Sequence, residues 1–247
     1  MSLHATKPCT LVNTPQRPTL PPRAIVLAAG RGERMRPLTD TTPKPLLPVF
    51  GRPLIEWHLL ALAAGGVREV VINTAWLEER FPEVLGDGSR FGLSIRWSHE
   101  GRDFGGALET GGGIATVQDW LCEDGREAFW VVSGDIWAPE FRFAPEAVAR
   151  FVDSGHDAHL WVVPNPPYHP GGDFDHEGGR ATYANLALMR PSVCAGLPKG
   201  RRAALGRLLI DGVAAGRISL ETWPGRWENV GTPAQLAALQ GDSAPAA

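Results

Sequence analysis

The chain has 247 residues, a net charge of −3 and three cysteines. This length is typical of one large α/β domain that can bury a sizeable core. The slightly acidic balance argues against a nucleic-acid polymer as partner, because such partners usually require a strongly basic face. No apolar run approaches the length of a membrane span, so we expect no membrane insertion. The widely spaced cysteines are typical of reduced thiols in a cytoplasmic protein, not of a disulfide framework or a zinc site.

The two ends of the chain differ in composition from the middle. Residues 1–22 are polar and rich in proline and lack the apolar core of a secretory signal, so we predict a flexible N-terminal tail there. A second short tail is predicted at residues 242–247. Residues 23–241 are predicted to form a single domain.

The first regular element predicted is a buried strand at residues 25–28, which read IVLA. The loop after it combines glycines with Arg34, Arg36 and Lys44. This layout suits a phosphate site, because small residues let backbone N–H groups approach an anion. A solvated basic turn would have the same composition. Neither GxGxxG nor GxxxxGK[ST] is present, since Met35 stands where the third glycine of the former would lie.

Prolines surround Lys44. Pro43 and Pro45 flank it directly, and Pro37 and Pro48 lie close by in the sequence. Because proline fixes φ and cannot donate a ladder hydrogen bond, we predict that Lys44 is held on a stiff extended segment. A lysine held in this way can be aimed at a bound anion.

Apolar patterning predicts alternating helices and strands along the rest of the chain. The predicted helices are residues 53–64, 76–85, 114–121, 145–154, 201–215 and 233–240. The predicted strands are residues 69–73, 93–98, 128–133, 158–163, 182–189 and 218–223. This alternation favours an α/β fold with a Rossmann-like, doubly wound and mainly parallel sheet. Ligands of such sheets bind outside the carboxyl ends of the strands, where the basic loop lies.

Two more loops carry candidate ligand contacts. Residues 101–113 are so rich in glycine that we predict no regular element there. A glycine run before a helix is typical either of a flexible turn or of backbone against which a ring or phosphate rests. Asp135 follows a buried strand and Gly134, so its carboxylate is expected at the ligand edge of the sheet. There it could bind magnesium or simply cap a turn.

The stretch from Leu27 to Val49 resembles the opening motif of the sugar-1-phosphate nucleotidyltransferases, LAAGxGxRMxPLTxxxPKPLxPV, at every fixed position. The resemblance continues in LETGGGI (108–114), GDIW (134–137) and RWENVGT (226–232). It implies a GT-A-like fold and a reaction of a nucleoside triphosphate with a sugar 1-phosphate, giving an NDP-sugar and pyrophosphate. HPGGDF (169–174) resembles the HxxGDF element of the branch that acts on N-acetylmuramate 1-phosphate. That branch uses UTP and recycles cell-wall sugar in the cytoplasm.

The resemblance also implies roles for individual residues. Arg34, Lys44 and Asp135 are implied as catalytic; Arg34 would meet the leaving pyrophosphate, and Lys44 would lie between the α-phosphate and the incoming phosphate. The implied nucleotide-binding residues are Ala29, Gly30, Gly32, Glu33, Arg34, Lys44, Glu109, Gly111 and Gly112. The implied sugar contacts are Ser133 and Asp173, with Trp137 added because it follows Gly-Asp; the other tryptophans are predicted core residues.

The implied magnesium ligands are Asp135 and Asn229. Relatives usually carry an aspartate at the position of Asn229, so magnesium would here be offered one carboxylate and one neutral amide oxygen. This departure suggests an alternative, a catalytically weak regulatory homologue that binds sugar nucleotides. The presence of Arg34, Lys44 and Asp135 argues against it.

Two further alternatives remain open at this point. One is a mannose- or heptose-1-phosphate guanylyltransferase of the same family. The other is a nicotinamide-dependent dehydrogenase, suggested by a strand followed by glycines, although the missing third glycine argues against it. The sequence leaves the oligomeric state undecided.

Overall fold

The computed structural model describes residues 20–241, so most of the predicted N-terminal tail and the whole of residues 242–247 lie outside it. The strands are β1 (Ala24–Leu27), β2 (Pro48–Val49), β3 (Arg52–Pro53), β4 (Glu69–Thr74), β5 (Ser94–His99), β6 (Phe129–Ser133), β7 (Ile136–Trp137), β8 (Ala158–Val163), β9 (Phe174–His176), β10 (Gly179–Met189), β11 (Ile218–Thr222) and β12 (Glu228–Asn229). The α-helices are α1 (Leu54–Ala64), α2 (Arg80–Leu85), α3 (Glu100–Phe104), α4 (Glu109–Leu121), α5 (Pro145–Ser154), α6 (Gly206–Ala214) and α7 (Pro233–Gly241).

The main sheet has the strand order β11-β8-β10-β6-β1-β4-β5, and β9 pairs with β10. The central strand β1 is parallel to both of its neighbours, β4 and β6. The β4–β5 and β8–β11 pairs are parallel as well, whereas β10 runs antiparallel to β6 and β8. The predicted mainly parallel α/β sheet is therefore confirmed, with β10 as an antiparallel insertion.

Alternate residues of the central strands enter two apolar clusters, one on each face of the sheet. Val26, Ile72 and Val132 belong to one cluster, and Ile25 and Val131 to the other. All five are fully buried or nearly so. Because both faces of these strands are covered, their sequences are continuous apolar runs instead of alternating ones.

A third apolar cluster joins the loop after β1 to the last helix. It contains Met35, Leu47, Val49, Leu54, Trp137, Val230, Leu236 and Leu239. Trp137 is only 1% exposed, and its ring packs against Phe50 and edge-on against Trp57. The prediction that Trp137 contacts the sugar is therefore wrong, because its ring is part of the core.

The prediction that residues 101–113 hold no regular element is also wrong. Residues 100–104 form α3, and α4 begins at Glu109 instead of residue 114. The glycines of α4 are required by close packing: a Cβ on Gly112 would lie 2.2 Å from the carbonyl oxygen of Arg201. Tertiary contacts have here outweighed the low helix propensity of glycine.

Two predicted helices are shorter than expected. α2 begins at Arg80 because Leu77, with φ of +48°, lies outside the helical region. α6 begins at Gly206 because residues 197–204, which we call the crossing segment, run across α4 instead. Ala203 exchanges backbone hydrogen bonds with α4 and its start, accepting from Gly112 N and donating to Leu108 O, both at 3.0 Å.

Substituting alanine for Gly112 is expected to destabilise the protein by about 1–3 kcal/mol, because the added methyl group must displace the crossing segment. Helix propensity alone predicts the opposite sign, since alanine is favoured over glycine by about 1 kcal/mol. The matched control is Gly206→Ala in α6, where no atom lies within 4 Å of the position of a Cβ. Urea unfolding of the two variants measures the difference. Equal stability of both would contradict the packing explanation.

No helix within residues 20–241 has both the length and the apolar character needed to cross a membrane. Cys122 and Cys194 are free thiols. Burial raises the pKa of each to about 11, so both are protonated at neutral pH. Neither of these two cysteines forms a disulfide, and the third cysteine, Cys9, lies outside the described residues.

Candidate active site

A cleft of about 500 Å³ opens at the carboxyl end of β1. This is where a doubly wound sheet is expected to bind its ligand. Six of the residues singled out from the sequence line it: Gly30, Gly32, Glu33, Arg34, Lys44 and Asp135. The structure therefore brings together residues that are up to about a hundred positions apart in the chain.

The loop after β1 is braced by the neighbouring strand's loop. Gly32 has φ of +63°, and a Cβ on it would lie 2.9 Å from the Thr39 methyl group, so only glycine fits there. Thr39 donates its hydroxyl hydrogen to the Gly32 carbonyl at 2.8 Å. Trp76, which follows β4, donates Nε1–H to the Thr39 carbonyl at 2.9 Å. The same indole lies 4.6 Å from the guanidinium carbon of Arg31. The loop is thus held before any ligand binds.

Lys44 is 8% exposed, and its Nζ lies 2.9 Å from Oδ2 of Asp135. The prediction of an extended segment is wrong in detail. Pro43 is extended, but Lys44–Leu46 form one turn of 3-10 helix. The expectation of a held side chain agrees with this geometry, because the ammonium group meets a carboxylate and the lysine is almost fully enclosed.

Asp135 and Asn229 lie on a small two-stranded sheet of their own. Asp135 directly precedes β7, which pairs antiparallel with β12 so that Ile136 is opposite Asn229. The N–H of Val230 donates to the Asp135 carbonyl at 3.2 Å. This pairing keeps the side chains of Asp135 and Asn229 on adjacent stretches of backbone.

The two side chains fit a hard cation. Oδ1 of Asn229 is buried and has no hydrogen-bond donor among the described residues. A buried acceptor without a donor costs free energy, which a cation would recover. Within residues 20–241 there is no group of three or more His, Cys, Asp or Glu side chains suited to a metal ion. A metal here would therefore depend on one carboxylate, one amide oxygen and the phosphates of its ligand.

His58 lies buried beneath β7, with Nε2 2.8 Å from the Ile136 carbonyl oxygen. Burial lowers its pKa to about 4, although the Ile136 hydrogen bond and the charge of Asp135 act in the opposite direction. The imidazole is therefore neutral at pH 7 and donates Nε2–H to the carbonyl group.

Protein stability is expected to fall between pH 6.5 and about pH 4 because of His58. The unfolded chain protonates this residue near its ordinary pKa of 6.5, while the folded protein resists protonation until about pH 4. The stabilisation is therefore complete above pH 6.5 and is lost on acidification, by up to about 3 kcal/mol. Denaturant unfolding at pH 7 and pH 4.5 measures it. The control is His58→Gln, whose amide can still donate to Ile136 but does not titrate; an equal loss in both proteins would contradict the assignment.

Three residues predicted to bind the nucleotide face the protein instead of the cleft. Gly111 and Gly112 are buried beneath the crossing segment, so their lack of a side chain is explained by chain packing and not by a ligand. Ala29 is also buried outside the cleft wall. Glu109 has φ of +61°, and its Oε1 accepts a hydrogen bond from Nη2 of Arg202 at 2.9 Å. Glu109 does not line the cleft itself, but its partner Arg202 does.

The remaining two sugar candidates also lie outside the cleft wall. Ser133 is the half-buried last residue of β6. Asp173 is tied into the β9–β10 region: Oδ1 lies 3.0 Å from Nε2 of His169, and Oδ2 accepts the N–H of Tyr183 at 2.8 Å. These contacts hold the loop before β9 in place. Sugar binding by Ser133 and Asp173 stays a prediction.

Sequence reasoning missed two arginines that line the cleft, Arg31 and Arg202. Arg31 occupies the variable position between two glycines of the motif. Arg202 lies in the part of the crossing segment that was predicted to begin the helix at residues 201–215, so no local signal placed it near β1. With Arg34 and Lys44 they outnumber the acidic Glu33 and Asp135 of the cleft wall, which gives a net positive field suited to a polyphosphate.

Known proteins are similar to this chain in sequence and in fold. The family model described as nucleotidyl transferase matches residues 23–171. An N-acetylmuramate alpha-1-phosphate uridylyltransferase of Neisseria meningitidis is 42% identical over 229 residues, which cover 88% of this chain and 96% of the relative. The chain belongs to the sugar-1-phosphate nucleotidyltransferase family. Membership removes the dehydrogenase alternative and confirms the family suggested by the sequence.

More distant nucleotidyltransferases are also similar to this chain. A glucose-1-phosphate thymidylyltransferase of Xanthomonas campestris is 31% identical over 245 residues, covering 87% of this chain and 78% of that protein. A crystal structure titled as a glucose-1-phosphate thymidylyltransferase of Bacillus anthracis superposes with a TM-score of 0.72 at 19% identity, covering 89% of this chain and 94% of the other. At that identity the superposition shows the fold alone. Arg202 and Asn229 lie beyond residue 171, where the family model ends.

Proposed function

We propose that this nucleotidyltransferase joins UTP to N-acetylmuramate 1-phosphate, giving UDP-N-acetylmuramate and pyrophosphate. The observation that carries the proposal is the similarity, over 88% of the chain, to the Neisseria protein that bears this activity in its name. The reaction would take place in the cytoplasm and return recycled cell-wall sugar to peptidoglycan synthesis.

The chemistry requires charge neutralisation more than proton transfer. The nucleophile is a phosphate oxygen of the sugar 1-phosphate, whose second pKa is near ~6, so it is mostly ionised at neutral pH. A bond forms from this oxygen to the α-phosphorus of the nucleotide, and the bond from that phosphorus to the α,β-bridging oxygen breaks. Pyrophosphate leaves with the electron pair. Two anions must meet in line, so the protein has to offset their charge and fix their geometry.

The cleft residues have corresponding roles in this proposal. The backbone around Gly30, Gly32 and Glu33 would cradle the triphosphate. Arg34, whose guanidinium lies beside the backbone of Gly231, would bind the leaving pyrophosphate. Lys44 would lie between the α-phosphate and the incoming phosphate, because its ammonium group is already directed toward Asp135.

Asp135 and Asn229 would hold Mg²⁺. When bound, this ion supplies positive charge that offsets the negative charge on the reacting phosphates. The support for this assignment is the buried oxygen of Asn229, which has no hydrogen-bond donor, together with the backbone pairing of Asn229 with Ile136, the residue after Asp135. Magnesium usually relies on few protein ligands and on substrate phosphates, which suits a site with a single carboxylate.

The proposal is tested by assaying four nucleoside triphosphates against several sugar 1-phosphates, with pyrophosphate release as the measurement. We expect the highest kcat/KM for UTP with N-acetylmuramate 1-phosphate. A higher value for GTP with mannose 1-phosphate would replace this assignment by a guanylyltransferase. Nucleotide binding without pyrophosphate release for any pair would instead support the regulatory homologue.

A further inference from the structure

A buried carboxyl group lies between two walls of the cleft without lining either. Glu100, at the junction of β5 and α3, has no exposed surface. Its Oε1 accepts a hydrogen bond from Nδ2 of Asn73 at 2.8 Å, and its Oε2 accepts the N–H of Leu108 at 2.7 Å. Burial raises the pKa of Glu100, and the two hydrogen bonds oppose that shift. No described cationic side chain forms an ion pair with it.

Asn73 continues this contact to the loop after β1. Its Oδ1 accepts the N–H of Ala28 at 2.9 Å, and Ala28 lines the cleft. On the other side, Leu108 immediately precedes α4. Ala28, Asn73 and Leu108 are all buried. The four residues Ala28, Asn73, Glu100 and Leu108, which we call the Glu100 bridge, therefore form one hydrogen-bonded chain from the phosphate loop to the start of LETGGGI.

Helix α4 packs directly on the Glu100 bridge. A Cβ on Gly113 would lie 2.7 Å from Oε1 of Glu100 and 2.8 Å from Nδ2 of Asn73. The chain between Glu100 and Leu108 also closes on itself, since Gly106 N donates to the Glu100 carbonyl at 3.3 Å. The glycine-rich segment 101–107 therefore begins directly after Glu100, and its end is hydrogen-bonded back to Glu100. The position of α4 relative to β1 is fixed at Glu100.

In each of the three hydrogen bonds of the bridge, a donor meets an acceptor. Asn73 accepts from Ala28 and donates to Glu100, and both carboxylate oxygens of Glu100 face N–H groups. An ionised carboxylate is an acceptor only, so it meets both N–H groups without conflict. An amide in the same place would have to turn its own N–H toward one of them.

We propose that Glu100 is a positioning residue that sets the spacing between the phosphate loop and LETGGGI. The inference rests on the proposed function in one respect, that the nucleotide occupies the cleft, whose wall includes Ala28 on the phosphate loop and Ala107 directly before LETGGGI. A nucleotide spans both walls, so a change in their spacing displaces its α-phosphate from the line of attack. Asp173, a proposed sugar contact, lies in the β9–β10 region outside the bridge, so we expect the sugar 1-phosphate to bind independently of this spacing. A weakened bridge therefore raises the KM for the nucleotide and lowers kcat, and it leaves the KM for the sugar phosphate nearly unchanged.

Glu100→Gln is the first test, because it keeps the shape and places one N–H against another. We expect the nucleotide KM to rise about tenfold and kcat to fall about tenfold, since a buried donor loses its acceptor. Glu78→Gln is the matched control. Glu78 is a buried acid that lies close to α3 at Gly101 and is not part of the bridge; its Oε2 lies 3.9 Å from Nδ1 of His99 and has no hydrogen-bond partner. Its kinetics should equal those of the wild type.

The decisive variant combines Asn73→Asp with Glu100→Gln. In the double variant, the new carboxylate at position 73 accepts from Ala28 and from the new amide at position 100. The oxygen of that amide accepts from Leu108, so every donor regains an acceptor. Asn73→Asp alone sets two carboxylates against each other and should be at least as damaging as Glu100→Gln. Recovery of nucleotide KM and kcat in the double variant, relative to both single variants, is the expected result.

Thermal unfolding checks that each variant is folded, and equilibrium binding of the nucleotide preferred by the wild type is measured beside the kinetics. If that nucleotide is not UTP, the substrate proposal fails while the test of the bridge proceeds with the nucleotide found. Three results overturn the positioning role: a folded Glu100→Gln protein with wild-type nucleotide KM and kcat, equal rises in KM for both substrates, or a double variant that does not regain nucleotide affinity. If a single variant does not fold, the nucleotide affinity of the double variant, compared with that of the wild type, still tests the positioning role.

Discussion

Replacing Lys44 by alanine is expected to lower kcat about a thousandfold or more while the protein stays folded. The ammonium group of Lys44 is the most enclosed positive charge of the cleft and lies 2.9 Å from the carboxylate of Asp135. In the proposed reaction it offsets the charge of two approaching phosphates. No water molecule can replace a fixed charge at that point.

Steady-state assays of Lys44→Ala, with circular dichroism to establish folding, measure this effect. Lys199→Ala is the matched control, because Lys199 is exposed and is ion-paired with Asp119 on α4, away from the cleft wall. The control should keep wild-type kcat. A folded Lys44→Ala protein with near-normal kcat would rule out the role of this lysine.

Asp135→Asn is expected to be almost as damaging as the loss of Lys44, whereas Asn229→Asp is expected to improve metal binding. Asp135 is the one carboxylate of the proposed pair of metal ligands, so Asp135→Asn leaves two neutral amides for a hard cation. Restoring a carboxylate at position 229 adds charge next to the first, and magnesium affinity rises with ligand charge. Asp135→Asn also removes the partner of Lys44.

A magnesium titration of the wild type and both variants at saturating nucleotide measures the half-maximal concentration for activity. Mn²⁺ binding followed by electron paramagnetic resonance gives a reading that does not depend on turnover. We expect the order of affinity to be Asn229→Asp, then wild type, then Asp135→Asn. Identical metal dependence in all three proteins would mean that neither side chain holds the ion.

The parts of the site that the sequence predicted are those encoded by contiguous residues. Gly32, Arg34 and Lys44 fall within one motif, and Asp135 directly follows an apolar strand. Their functional geometry needs only a parallel sheet, whose strands end on the same edge. The adjacency of β1 and β6 then brings Asp135 beside Lys44.

The parts that the sequence did not predict depend on contacts between distant segments. The glycines of α4 looked like a loop because glycine disfavours helices, and nothing local indicated that residues 201–204 would press against them. Arg202 lines the cleft because the crossing segment, which carries it, runs across α4. Trp137 was misjudged because its burial requires Phe50 and Trp57 from elsewhere in the chain.

The pairing of β7 with β12 has a consequence for biosynthesis. Lys44 and Asp135 are made early, yet the strand that carries Asn229 and the helix that covers Met35 are among the last parts to leave the ribosome. Domains generally fold as units, so the cleft is finished only after these last segments have been made. A chain interrupted before residue 229 would lack one of the two proposed metal ligands and the helix that covers Met35. Such a truncated product would also lack part of the apolar cluster that joins the loop after β1 to the last helix.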